Sequence, residues 1–345
     1  MPVRTVGTCP IRACSSTRGV PMSRRGLLLF LTVSVLWGVP YLLISVALEG
    51  LGPVSVAAGR VTLGALVLLP VAWRRGLPRL LRERWRALLL LAAVEVAAPL
   101  TLIAVGERTV SSGLAGVLIA TEPLFILALG LFRGKRRRPP RGAWAGAALG
   151  FLGVVVLLGV AGTGTGAVLV WAAAACYAVG AVLMHRLFPD VPPLTVAAGM
   201  LVPAAGPLLA VAAVTEPAPQ LTARVLLAVI GLGTACTAGG FTAFFALIGA
   251  EGPARAAFIT YVAPVVAVTA GVLLLSEPVT ARTVVGTVLV LAGAALAARR
   301  PSAAPLPDAP DVPALSDKRP GKEQDAGRRL VEGSRDAAEA DVQPL

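Results

Sequence analysis

The hydrophobic positions of this chain neither alternate nor trace a narrow stripe. They come as long runs, apolar all round and broken by short polar connections. About 20 apolar residues make a helix long enough to cross a bilayer. Ten such runs can be placed, at 27–47, 53–72, 87–105, 110–131, 142–160, 167–186, 194–214, 224–248, 255–275 and 282–298. The pattern predicts an all-α integral membrane protein with ten transmembrane helices.

The runs also repeat. The stretch GLAGVLIATEPLFILALGLF (113–132) falls into step with ARAAFITYVAPVVAVTAGVLLL (254–275) when Pro123 is set against Pro264. At nearly the same offset Trp37 meets Tyr177, Gly146 meets Gly286, and Gly153 meets Gly293. A duplication explains this. It divides the chain into an extension (1–22), a first repeat (23–160), a second repeat (161–300) and a tail (301–345). Five helices per copy is an odd number, so the second copy should lie upside down relative to the first. That is the plan of many secondary transporters. Ala161–Gly166 (AGTGTG) lacks the GK[ST] end of a phosphate loop and reads as a linker.

Composition fits this picture. Hydrophobic residues are 56% and charged residues 14% of 345, against about 25% charge in a soluble domain. Abundant Gly and Ala let helices approach closely in lipid. The 31 Lys and Arg outnumber 18 Asp and Glu, but the excess sits between apolar runs, which speaks for topology and against nucleic acid. Arg74, Arg75, Arg79, Arg82, Arg84 and Arg86 crowd one loop. Arg133, Lys135, Arg136, Arg137, Arg138 and Arg141 crowd another. By the positive-inside rule both loops, and both termini, are expected in the cytoplasm. Met22, ahead of Ser23-Arg24-Arg25 and the first run, reads as the initiator. The tail, rich in Pro, Asp, Ala, Arg and Glu, is expected to be disordered.

Chemistry enters at mid-depth. Arg60, Glu95 and Glu122 fall inside three consecutive spans, each roughly 11 to 17 Å from a membrane face at about 1.5 Å per residue. An ionisable group there costs about 2.5–3.5 kcal/mol on insertion scales, so a shared wet interior is expected, with Arg60 compensating one glutamate. As a substrate site, Arg60 would hold a carboxylate, and Glu95 or Glu122 a proton or an amine. As structure alone, the three would be a buried ion pair that orients helices. Trp37, Tyr177 and Tyr261 are candidates to line the same cavity, or to pack the core. Pro123 and Pro264 are candidate hinges or helix breaks, since proline cannot complete the bond to the carbonyl four residues back. Pro99, Pro203 and Pro207 lack a partner pattern. Glu107, Arg108, Glu251, Arg255 and Glu277 fall at span ends, where solvation or surface pairing is expected, with Glu277 capping the following helix.

The four cysteines form no CxxC pair and His185 is the only histidine, so no metal, no cofactor and no catalytic triad is expected. Cys176 and Cys236 read as small buried side chains. A channel or a lipid-active membrane enzyme is the alternative to a carrier. Whether the chain is a monomer or a homodimer is left open.

With Trp37-Gly38, Arg60, the Ser112–Phe125 run S-G-L-x-x-x-L-x-x-x-x-P-L-F, Pro264 to Ser276-Glu277-Pro278, Gly286 and Gly293 in order, the chain resembles the EamA-type branch of the drug/metabolite transporter superfamily over about residues 27–298. The resemblance implies a bacterial inner-membrane exporter of amino acids, other small metabolites or drugs, with protons and membrane lipids as partners. It departs from the pattern where Lys135 and Arg136–Arg138 replace a glutamate matching Glu277. Glu95 and Glu122 are also additions, which suggests a cationic or zwitterionic substrate.

Overall fold

The structure, a computed structural model, describes residues 22–132, 141–158 and 164–298. The extension before Met22, the Lys135–Arg138 run, the first half of the Gly-rich linker (161–163) and the tail lie outside them, and residues 164–166 form the start of a helix. Among the described residues every regular element is helical. Seven helices are long and apolar enough to cross a membrane: α1 (Arg24–Ala47), α2 (Pro53–Arg74), α3 (Trp85–Gly106), α4 (Ser112–Leu129), α6 (Gly164–Leu187), α7 (Pro193–Thr215) and α8 (Ala223–Glu251). Three shorter apolar helices complete the set: α5 (Arg141–Leu158), α9 (Ile259–Leu275) and α10 (Ala281–Ala298).

The boundaries follow from local chemistry. Ser23, Ser111 and Thr222 accept hydrogen bonds from backbone N–H groups in the first turns of α1, α4 and α8, satisfying donors that a helix start leaves open. Pro53 and Pro193 open α2 and α7, where a missing N–H costs nothing.

Large apolar side chains point outward along the bundle. Leu27, Leu31, Leu66, Val71, Phe151, Leu226, Leu273 and Val288 are all exposed. The interior mixes large side chains, such as Leu88, Ile103, Met200 and Leu232, with many small ones: Ala57, Ala58, Ala65, Ala173, Ala174, Ala197 and Ala198 are buried. Apolar side chains facing outward and small residues at helix contacts are the packing expected where lipid is the solvent. Contact can be backbone-close. A methyl group at Gly293 would overlap the backbone of Gly150, and one at Gly286 would lie 3.1 Å from the Gly153 carbonyl. The glycines that mark the repeat thus join α5 to α10.

The packing map is nearly unchanged when each helix is exchanged for the one five places along. Helix α2 packs on α7, α4 on α9 and α5 on α10. Helix α1 packs on α8 and α9, while α6 packs on α3 and α4. Polar ties close both ends of the bundle. At one end Glu216 accepts from Val54 and Ser55 N–H, both at 2.8 Å, and Gln220 N–H donates to the Gly50 carbonyl at 2.8 Å. At the other, Glu251 accepts from Ser23 N–H and Oγ at 3.0 and 2.6 Å and pairs with Arg255.

Candidate functional site

The site begins with an irregularity in α3. Between Ala92 and Ala97 its turns widen to the π form, and Ala98 N–H reaches back to Ala93. The cause is in the sequence. Pro99 has no N–H for the Glu95 carbonyl, and its ring crowds that carbonyl. Widened turns inside α-helices recur at functional positions. Here the widened turn carries Glu95. Its side chain lies directly against Gly180 of α6, where a methyl group would collide with the carboxylate. Among the described residues Glu95 Oε2 is buried without a hydrogen-bond partner.

Helix α8 widens in the same way between Gly231 and Gly239. No proline is involved. Thr237 Oγ1 donates to the Leu232 carbonyl, five residues back, at 2.8 Å, while Gly231, Gly233 and Gly239 leave room for the bulge. Helix α2 lies flat on this segment. A Cβ at Gly233 would overlap Leu63 and come 3.0 Å from the Arg60 carbonyl, and one at Gly64 would meet Thr237 at 2.8 Å. That closeness lets Arg60 Nε donate to Thr237 Oγ1 at 2.9 Å.

Helix α4 is interrupted at Ala120–Thr121, just before Glu122-Pro123. Ala120 and Thr121 N–H fall back on carbonyls three residues earlier, and the buried Thr121 hydroxyl donates to the Leu118 carbonyl at 2.6 Å. In α9 the helix continues through Pro264. The tightening occurs ahead of it, where Phe258, Thr260 and Tyr261 N–H also bond three residues back. Both prolines are thus preceded by a tightened turn, but only the one at Pro123 divides the helix where a charged residue stands.

These irregularities converge. The Tyr177 ring, on α6, lies within electrostatic reach of Arg60, Glu95 and Glu122. Glu95 feels the Glu122 charge. Tyr41, which the sequence did not single out, is in reach of Arg60, Tyr177, Glu107 and Glu122 and packs its ring 3.2 Å from the site of a Cβ on Gly116. One expectation needs correcting. Arg60 forms no ion pair with either glutamate among the described residues. Its bond goes to Thr237, because α2 is pressed onto α8. Glu95 lies within electrostatic reach of Glu122, and among the described residues neither forms an ion pair.

Trp37 and Tyr261 lie elsewhere. Trp37 packs against Phe244 and Phe241 of α8, at 4.7 and 6.1 Å between ring centroids, and over Gly240. Tyr261 donates its hydroxyl to the Ala294 carbonyl of α10 at 3.0 Å. Both act as packing residues in this conformation.

Two span-end acids are also corrected. Glu107 was expected to be solvated, yet it is only 7% exposed and accepts a bond from Ser45 Oγ at 3.1 Å. A signal was present: Val96, Leu100, Ile103 and Glu107 follow helical spacing along one face of α3, and all four are buried. Glu277 does cap a helix, but α4 and not α10. It accepts from Ser112 and Gly113 N–H at 2.7 and 3.1 Å. Ser276 stands in the left-handed region (φ 54°) and Glu277 N–H returns to the Gly271 carbonyl, a helix-ending turn that aims the carboxylate across.

Fold and site together define a multi-pass, all-helical membrane protein with ionisable side chains gathered in its interior. The chain belongs to the EamA-like transporter family, whose pattern it matches twice, over residues 24–159 and 164–299. It is therefore a transporter and not an enzyme. It is 30% identical over 249 residues to the uncharacterized inner membrane transporter YedA of Escherichia coli, covering 69% of this chain and 78% of that one. It is 29% identical over 296 residues to a probable amino-acid metabolite efflux pump of Salmonella typhimurium, covering 79% and 94%. A solved crystal structure shares the fold, with a TM-score of 0.58 and 24% identity, covering 79% of this chain and 96% of that one.

Proposed function

We propose that this chain is a secondary active transporter that exports a small cationic or zwitterionic metabolite, an amine or amino acid, across a bacterial inner membrane. Two inverted five-helix repeats, residues 23–160 and 161–300, expose a central site alternately to the two sides. Both termini face the cytoplasm. The observation that carries this reading is the gathering of Glu95, Glu122, Arg60 and Tyr177 from α3, α4, α2 and α6, with Glu95 Oε2 buried and unpartnered. Two buried carboxylates within electrostatic reach of each other resist being charged together in a low-dielectric interior. A proton or a substrate ammonium relieves them equally well, and competition between the two is the basis of proton-coupled exchange. Arg60, tethered by Thr237, is placed to receive the carboxylate of a zwitterion.

The inverted plan is supported by the packing exchange between α1–α5 and α6–α10. It is also supported by the opposite directions of α1 and α6: Ser23 meets Glu251 at one end, while Gly166 lies against Gly106 at the other. The efflux name of the Salmonella relative supports the outward direction.

Counterflow of labelled amines and amino acids in proteoliposomes, with and without an imposed proton gradient, tests the proposal. Saturable flux of a cation or zwitterion, driven by the gradient and lost in Glu95→Gln, is expected. Flux of neutral or anionic compounds alone overturns the substrate class, and unitary currents in a planar bilayer overturn the carrier reading.

A further inference from the structure

Beyond the central cluster, a second polar group sits at the end of the bundle that the proposed topology assigns to the outside. Glu107 follows the last residue of α3, 7% exposed. One carboxyl oxygen accepts from Ser45 of α1; the other, Oε1, is buried with no hydrogen-bond partner among the described residues. Next to it begins α4. Ser112 is fully buried and its Oγ is likewise unpartnered, while its N–H is held by Glu277. Gly271 and Gly113 make room for that arrangement: a Cβ at Gly271 would lie 2.8 Å from Ser112 Oγ and would overlap Glu277 Oε2. Helices α1, α3, α4 and α9 meet here.

We propose that Glu107 is a proton-binding site that latches this end: protonated, it keeps the α1–α3–α4 junction shut, and loss of the proton to the outside solution releases it.

The argument is one of charge and space. A carboxylate with a single hydroxyl partner and an orphan oxygen is poorly accommodated in a dry junction, whereas the neutral acid fits it. Burial holds the Glu107 carboxyl well above the usual carboxylate range; the Ser45 bond opposes this, the Glu277 charge adds to it and Arg60 offsets part. Tyr41 on α1 is the remaining titratable neighbour in reach, and the facing turns of α6, Gly164–Trp171, carry no ionisable side chain. In an opened junction water solvates the anion and the proton leaves. The closed state binds more protons than the open one, so raising the pH favours opening. Tyr41 is within electrostatic reach of both this group and the central cluster, so the latch adjoins the substrate site without belonging to it.

The test rests on the transporter reading only for its sidedness, and needs no substrate. Ser112→Cys is introduced in a full chain whose Cys9, Cys14, Cys176 and Cys236 are replaced by serine, and is reconstituted in vesicles. Its labelling by an impermeant maleimide is followed from about pH 5 to about pH 9. Labelling from the outer solution should rise by up to about tenfold per pH unit between the closed-state and open-state midpoints. Glu107→Gln, which mimics the neutral acid, should label slowly at every pH. Should that variant not fold, Ser45→Ala, which removes the bond favouring the anion, should raise the closed-state midpoint, so that labelling goes on rising to higher pH. A pH-independent rate, the same rise in Glu107→Gln, or an unmoved midpoint in Ser45→Ala overturns the latch. The expected pH dependence seen only in vesicles of opposite orientation would overturn the topology and leave the latch standing.

Discussion

Helices α3 and α8 occupy the same place in the two copies, and they are alike in backbone and unlike in chemistry. Each opens on an arginine paired with an acid from the end of a neighbouring helix: Arg84 with Asp190 beyond α6, and Arg224 with Glu49 beyond α1. Each widens to π turns at matching depth. Yet α3 reaches its bulge through Pro99 and places an acid there, while α8 reaches it through glycines and a threonine hydroxyl. Duplication kept the shape and let the side chains diverge. The charges came to lie on α2, α3 and α4 of the first copy, and the second supplied Tyr177, Thr237 and close-packing glycines. The central site proposed above would be asymmetric by construction, which suits a substrate with a definite head and tail.

The largest effect should come from cancelling that difference in charge. Glu95→Gln or Glu122→Gln removes a charged partner worth about 1.5–3 kcal/mol to a bound ammonium, roughly a ten- to hundredfold loss of affinity. Thr237→Val in α8 loosens Arg60 and removes the hydroxyl tie to the Leu232 carbonyl, neutral bonds worth about 0.5–1.5 kcal/mol each; it should cost a zwitterion a few-fold and a simple amine almost nothing. Equilibrium binding in detergent measures all three. Equal losses for amine and zwitterion in Thr237→Val would remove the division of labour between the copies.

Next comes the contact that holds α2 on the α8 bulge. Gly233→Ala would drive a methyl into Leu63 and toward the Arg60 carbonyl, an overpacking cost of about 1–3 kcal/mol. Thermal unfolding in detergent should show it. Gly249→Ala, on the same helix with open space at its Cβ, should leave the melting temperature unchanged. The α3 counterpart is Gly180→Ala, which would push directly on Glu95 and so should weaken cation binding as well as stability.

What could be read from the chain in advance divides along the same line. Apolar runs, their repeat and the arginine-rich loops depend on local composition, and among the described residues seven of the expected spans are helices long and apolar enough to cross a membrane, with shorter apolar helices at the other three. Arg60, Glu95 and Glu122 stood out because charge inside an apolar run is costly wherever it points. Their partners did not stand out. That Arg60 bonds Thr237, and that Glu277 crosses to α4, depends on which helices touch, and small apolar residues give little record of that. Glu107 was hidden by its place at a run's end, where solvation is the ordinary expectation, although its helical spacing from Val96, Leu100 and Ile103 betrayed it. Pro99 went unweighted because the proline was sought in both copies, whereas α8 makes the same bulge without one.

That substitution of means can be tested in turn. Pro99→Ala restores an N–H to α3 and removes the clash with the Glu95 carbonyl. The bulge should relax toward regular helix, with stability held or raised by up to about 1 kcal/mol, while Glu95 rotates away from Gly180 and transport falls. In α8 no single residue plays this part, and Gly239→Ala should leave transport nearly as it was. Flux and melting temperature measured together decide it; a Pro99→Ala chain as active as the parent would mean that the bulge does not position Glu95.

The smallest effect lies in the duplicated ion pairs. Arg84 meets Asp190 through two bonds, at 2.9 and 2.6 Å, and also donates to the Leu187 carbonyl at 3.0 Å. Arg224 meets Glu49 at a single 3.3 Å contact. Both pairs are well exposed, and exposed pairs contribute little, but a forked arginine is the stronger form. The Arg84 bond holds the Asp190 carboxyl below its usual range. Its contribution is therefore complete above the unfolded-state pKa of about 3.9 and fades as pH falls through the lower native value. Asp190→Asn should lower the melting temperature slightly at neutral pH, with the gap closing in acid and in high salt. Glu49→Gln should shift it less at any pH. If Glu49→Gln proves the more damaging, then the looser pair, at the Glu107 end of the bundle, is the one that matters to the fold, and the two ends differ in the opposite sense from their geometry.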